Sequence, residues 1–210
     1  MDERSKWERR YQQTGEEPFY GWEPSPFLVR SLPLLPAAGD CLDVAGGEGR
    51  NALFLAKRGW RVTVLDVAVA GVARARRRAL DTGHGVRVLA ADSNHWPLRS
   101  TPAVWDLILV VNYHSRELIA AAGSLVRPGG ALLVEGFAQE QLGRSSGGPQ
   151  DPDLLWRPNE LLKLATGAGE GREALRVVWY EDRLVPGDDN PRQRGPKWVV
   201  RLVARRPPWN

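Results

Sequence analysis

Residues 42–52 read LDVAGGEGRNA. A short apolar run reaches Asp43, glycines follow at positions 46, 47 and 49, and a helical pattern opens behind them. A glycine-rich loop between a strand and a helix brings bare backbone close to a ligand, because no Cβ stands in the way. What this loop holds decides the reading of the whole chain.

Outward from the loop, strand and helix patterns alternate. CLDVA is a predicted strand and NALFLAKRG a helix closed by Gly59. RVTVLD, VRVLAAD, DLILVVN and ALLVEGF are further predicted strands. VAGVARARRRAL and RELIAAAGSLV are helices, and Pro128-Gly129-Gly130 is a predicted turn. The strands are short and rich in Val and Leu, as strands buried on both faces are. Strands alternating with helices predict a parallel sheet covered on both sides. After residue 174 the pattern changes. ALRVVWYEDRLV and KWVVRLVARR are both strand-like, with a polar loop between them and no helix. Strands joined without a crossover helix pair antiparallel. The expectation is an α/β, Rossmann-like doubly wound sheet of seven strands: five parallel, then a C-terminal antiparallel hairpin. Residues 138–157 form one long predicted loop before the RPNELLKLA helix, and loops of that length are often functional.

The chain has 210 residues, enough for one domain with a full core and a small extension. We expect an N-terminal helical and aromatic lid over residues 1–38 and a ligand-binding domain over residues 39–210. The first residues, MDERSKWERR, are charged and unlike a secretory signal, and no apolar run is long enough to span a membrane. One cysteine, Cys41, leaves no disulfide framework and no cysteine-based metal site. A reducing, cytoplasmic setting is expected. The net charge is +4, and four of the 29 basic residues are lysine. The dense run Arg74 to Arg78 puts Arg74, Arg77 and Arg78 opposite Val72, Ala75 and Ala79, which predicts a solvated helix face. Nucleic-acid contact is the alternative use of that charge.

Three readings compete for the loop. The phosphate loop of nucleotide hydrolases needs a Lys-Ser/Thr pair that is missing here. The dinucleotide fingerprint fits better. Gly47 to Ala52 match G-x-G-x-x-A, and Asp66 closes the next strand, where a ribose-binding acid belongs. The third reading is S-adenosylmethionine (SAM), which has a ribose and adenine but no pyrophosphate, and carries a cationic ammonium and sulfonium. Such a ligand calls for a carboxylate at the loop mouth, where Asp43 lies, and Glu48 adds a second negative charge. Asp66 is then placed for the ribose hydroxyls, and Asp92 for the adenine amino group.

Read this way, residues 40–206 resemble a class I SAM-dependent methyltransferase, whose first motif is D/E-x-G-x-G-x-G. Here the motif runs from Asp43 to Gly49, with Ala45 in place of the first glycine. The terminal hairpin is also typical of that family. Asn112-Tyr113, the RPGG stretch and VEGF…GGPQDPDLLWRPNELL resemble the bacterial tellurite-resistance and thiopurine methyltransferase-like group. That group often has N-Y-L-H-R where this chain has Asn112-Tyr113-His114-Ser115-Arg116, so the histidine is displaced by one position.

The resemblance implies SAM as cofactor and S-adenosylhomocysteine as product. It implies a cofactor site of Asp43, Ala45, Gly46, Gly47, Gly49, Arg50, Asn51, Asp66, Val67, Ala91, Asp92, Ser93, Val111 and Asn112. Catalytic candidates are Asn112, Tyr113 and His114. Tyr20, Trp22 and Glu135 are expected at the substrate pocket or lid, with a buried structural partner as the other reading of Glu135. His95 and Trp96 have two readings, packing beside the adenine or ordinary packing in the core. The DNA and RNA amino-methyltransferase signature after the fourth strand is missing, which favours a small-molecule acceptor, a thiol or other soft nucleophile among them. RNA or protein acceptors, a NAD(P)-binding oxidoreductase and a non-catalytic SAM-binding protein are the alternatives.

Overall fold

The computed structural model describes residues 2–94, 103–167, 174–187 and 195–208. His95 and Trp96 lie outside them. Helix α1 spans Glu3–Gln13, α2 Pro26–Ser31, α3 Arg50–Ala56, α4 Val69–Asp81, α5 Arg116–Leu125 and α6 Glu160–Thr166. The strands are β1 (Asp40–Val44), β2 (Arg61–Asp66), β3 (Arg87–Ala90), β4 (Trp105–Val111), β5 (Val126–Phe137), β6 (Arg176–Val185) and β7 (Lys197–Arg205). They form one seven-stranded sheet in the order β3-β2-β1-β4-β5-β7-β6. The first five are parallel, and β7 inserts antiparallel between β5 and β6. The expected architecture is the observed one.

Period-two side-chain alternation makes two cores from one sheet. Leu42, Val44, Ile108 and Val110 face α5 and α6, and pack with Leu118, Leu125, Trp156 and Leu161. Cys41, Val62, Val64, Leu107 and Leu109 face the other way, against Ala52 and Leu55 of α3 and Val72 and Ala75 of α4. Phe27 and Leu28 of α2 are buried in this second core, at 2% and 0% exposure. The part of residues 1–38 that could act as a lid therefore ends before α2.

The RPGG stretch is not a turn. Residues 126–130 stay within β5, and the register with β4 jumps from Trp105↔Val126 to Leu107↔Ala131. The bulge is tied to the end of β7: the Gly129 N–H donates to the Arg206 carbonyl at 2.8 Å, and the Arg206 N–H to the Gly130 carbonyl at 3.0 Å. Asp106 is structural, accepting from the Asp40 N–H and from Arg127 at the N-terminal edge of the sheet. Within the predicted loop 138–157, Ala138 forms a parallel bridge to Trp156, and the segments Gln139–Gln141 and Pro152–Leu154 are single 3₁₀ turns.

Candidate functional site

β1 lies between β2 and β4, so the chain reverses its direction of travel across the sheet there. In open α/β sheets the ligand crevice opens at that switch, beyond the carboxyl ends of the strands. A cavity of about 1000 Å³ stands there, walled by the glycine loop, the ends of β2 and β4, and the N-terminal segment.

The loop's shape follows from its backbone. Ala45, Gly47 and Gly49 all have left-handed φ, at 52°, 53° and 77°. A Cβ on Gly46 would stand 2.8 Å from the Asp43 carboxylate. Asp43 itself is buried, and its Oδ2 has no hydrogen-bond partner. Burial pushes its pKa up to about 7, against the opposing pull of Arg50. Asp66, also buried, accepts the Gly47 N–H and the Ala68 N–H, both at 2.9 Å. It ties the loop to the start of α4, and burial raises its pKa as well.

On the opposite wall, Asp92 accepts the Asn94 N–H at 2.9 Å, and Ser93 shares a 2.7 Å hydrogen bond with the Tyr113 hydroxyl. Asn112 has φ 59° and donates its N–H to the Glu135 carbonyl at 2.8 Å. The His114 ring lies 4.1 Å from that of Trp156, and its Nε2 is buried with no partner. Burial, then the neighbouring Arg116, pulls the His114 pKa below its ordinary value, so the ring is neutral at pH 7.

Most residues expected at the site meet at this cavity. Asp43, Ala45, Gly46, Gly47, Arg50, Asn51, Asp66 and Val67 line one side; Ala91, Asp92, Ser93, Val111, Asn112, Tyr113 and His114 line the other; Tyr20 closes it from the N-terminal segment. Arg50 and Asn51 also hold that segment, through the carbonyls of Tyr20 and Glu23 and the Ser25 N–H.

Several expectations need correction. Gly49 does not face the cavity; a Cβ there would meet the Ala75 side chain at 2.9 Å, so this glycine lets α3 pack on α4. Trp22 is half exposed, lies under Arg78 at 4.3 Å, and bonds Glu17 outside the cavity. Glu135 is not a substrate-pocket acid: its carboxylate is bound by the Arg201 guanidinium at 2.7 Å and by the Ser25 hydroxyl. Glu48 is engaged by Arg74 at 2.7 Å and by the Phe19 N–H at 2.6 Å, and is not a free charge for a ligand. Arg74 and Arg78 are therefore not simply solvated, whereas Arg77 is exposed. Trp156 and Tyr11 line the cavity without having been singled out for it.

Residues 41–130 match a family model described as a methyltransferase domain. Solved structures share the chain's fold along nearly its whole length. The N-methyltransferase NodS from Bradyrhizobium japonicum, solved with S-adenosylhomocysteine, is 21% identical with a TM-score of 0.68, covering 98% of both chains. TehB from Haemophilus influenzae is 17% identical with a TM-score of 0.67, over 97% of this chain and 67% of its own. A protein solved in work on conversion of a disulfide bond into a thioacetal group during echinomycin biosynthesis is 21% identical with a TM-score of 0.70, over 100% of this chain and 94% of its own. No curated protein matches the chain. No helix among the described residues is long and apolar enough to cross a membrane.

Proposed function

We propose that the protein is a SAM-dependent methyltransferase of the cytoplasm acting on a small-molecule acceptor, with a thiol or similar soft nucleophile as the favoured class. One observation carries this reading: a buried carboxylate, Asp43, with an unpartnered oxygen, behind a glycine loop at the switch point. A pyrophosphate would be repelled by that charge, while a cationic ammonium would neutralise it. This separates SAM from a dinucleotide.

The residues fit the cofactor. Asp43 would hold the ammonium, Asp66 the ribose hydroxyls and Asp92 the adenine amino group, and Val67 and Ala91 would pack on the base. When bound, the cofactor supplies an activated methyl on a sulfonium. The chain must then orient the acceptor in line and exclude water. Asn112, Tyr113 and His114 stand at the acceptor end. His114 Nε2, neutral and unpartnered, would take the proton released by an acceptor S–H. A positioned base of this kind is worth about 10²- to 10⁴-fold in rate.

The test is a panel of thiols, selenite, tellurite, phenols, amines and bulk RNA, scored by release of S-adenosylhomocysteine. Turnover of thiols, lowered at least 100-fold by His114→Asn, is the expected result. Turnover on RNA alone would refute the small-molecule reading. Undiminished thiol turnover in His114→Asn would remove the histidine's role.

A further inference from the structure

Tyr11 is 4% exposed, and two glycines from different elements make room for it. A Cβ on Gly71 in α4 would stand 2.8 Å from the ring's Cε2, and one on Gly47 would collide with the ring's hydroxyl. The helix that carries Tyr11 is fixed on both sides of this slot. Glu8 accepts the Ala70 N–H at the start of α4, and Arg74 donates to the Tyr11 carbonyl at 3.1 Å. The ring is therefore held in a fitted slot, not merely covered.

The hydroxyl stands over Gly47, whose N–H is bonded to Asp66, in the wall of the cavity. Among the described residues it makes no hydrogen bond. Burial first, then the Asp66 carboxylate, holds the phenol protonated far above its ordinary range. It is a fixed donor, turned to the same side of the cavity as the acid expected to bind ribose.

We propose that Tyr11 is a further cofactor-binding residue, its hydroxyl serving the ribose beside Asp66, and that Gly71 is a positioning residue that keeps the slot open for it. This rests on the SAM reading. It means that the cofactor site is complete only when α1 is docked.

Calorimetry on the full chain tests it, with S-adenosylhomocysteine and 5′-methylthioadenosine, which share the nucleoside but not the amino-acid end. Tyr11→Phe should weaken both ligands equally, by about 3- to 10-fold, the worth of one hydrogen bond. Gly71→Ala should weaken them at least as much, although alanine favours the helix that carries it. Tyr11→Ala combined with Gly71→Ala should bind no worse than Tyr11→Ala alone, because the clash leaves with the ring. Wild-type affinity in Tyr11→Phe, a loss confined to S-adenosylhomocysteine, or additive losses in the double variant would each overturn the proposal. A wild-type protein that binds neither ligand would instead bring down the cofactor reading, and this proposal with it.

Discussion

Asp43 sets the site's charge and bears a stability cost for it. A carboxyl whose folded pKa is raised from 3.8 to about 7 binds its proton more tightly in the folded state. Stability therefore falls as pH rises from about 4 to about 7, and the full penalty stands above that window. Asp43→Asn removes it. At pH 8, without ligand, the variant should be more stable by roughly 2–4 kcal/mol, read by thermal or urea unfolding. It should also lose the affinity for S-adenosylhomocysteine that rises in the wild type as pH passes through about 7. A variant no more stable at pH 8 than at pH 5, relative to wild type, would mean that the carboxyl is not held protonated. Ala45 offers a contrasting case. It sits at φ 52° in a position where the family motif has glycine. A left-handed non-glycine residue costs roughly 1–2 kcal/mol, partly offset by the greater unfolded freedom of glycine. Ala45→Gly should raise the melting temperature by about 1–3 °C without weakening ligand binding. A lower melting temperature would show that the Ala45 methyl makes a contact that outweighs the strain.

At the scale of elements, the strands were legible because each is a short Val- and Leu-rich run between turn signals. The strand-end acids Asp43 and Asp66 were legible because residue type and position coincide. What escaped the sequence depends on partners distant in the chain. Glu135 looks like a pocket acid until Arg201 is placed beside it, and Arg74 and Arg78 look solvated until Glu48 and Trp22 fold against them. Gly49 matched a ligand motif but serves helix packing, which only the position of Ala75 reveals. The N-terminal segment shows the same limit. Its aromatic content implied docking, and the structure docks it through Glu8, Tyr11, Phe19 and Ser25. Whether it moves is a separate matter, and we predict that residues up to Pro24 order further on the cofactor. Trypsin sites at Arg4, Lys6, Arg9 and Arg10 should be cleaved more slowly with S-adenosylhomocysteine present. Deletion of residues 1–24 should leave a folded core, since Phe27 and Leu28 remain in place, with poor turnover. Ligand-independent cleavage together with an unfolded deletion variant would make the segment part of the permanent core.

For the whole molecule, the cavity is where otherwise separate parts converge: the glycine loop, both halves of the parallel sheet at its switch point, and the N-terminal helix. A ligand that filled it would touch all of them at once, and its binding should couple to global unfolding and not to a local patch. Anything that binds only the folded state stabilises it by about 2.7 kcal/mol at a concentration 100 times its dissociation constant. For a chain of this length each kcal/mol is worth about 2–4 °C in melting temperature. Saturating S-adenosylhomocysteine should therefore raise the melting temperature by about 5–11 °C, in a single transition. NAD at the same concentration should leave it unchanged, because its pyrophosphate meets Asp43. Raising the salt concentration should alter the shift little, since Asp43 and Asp66 are buried and screened less than surface charges. A shift produced by NAD alone would reverse the choice between the two ligands. A shift split into two transitions would mean that the N-terminal segment and the sheet unfold independently even when the cavity is filled.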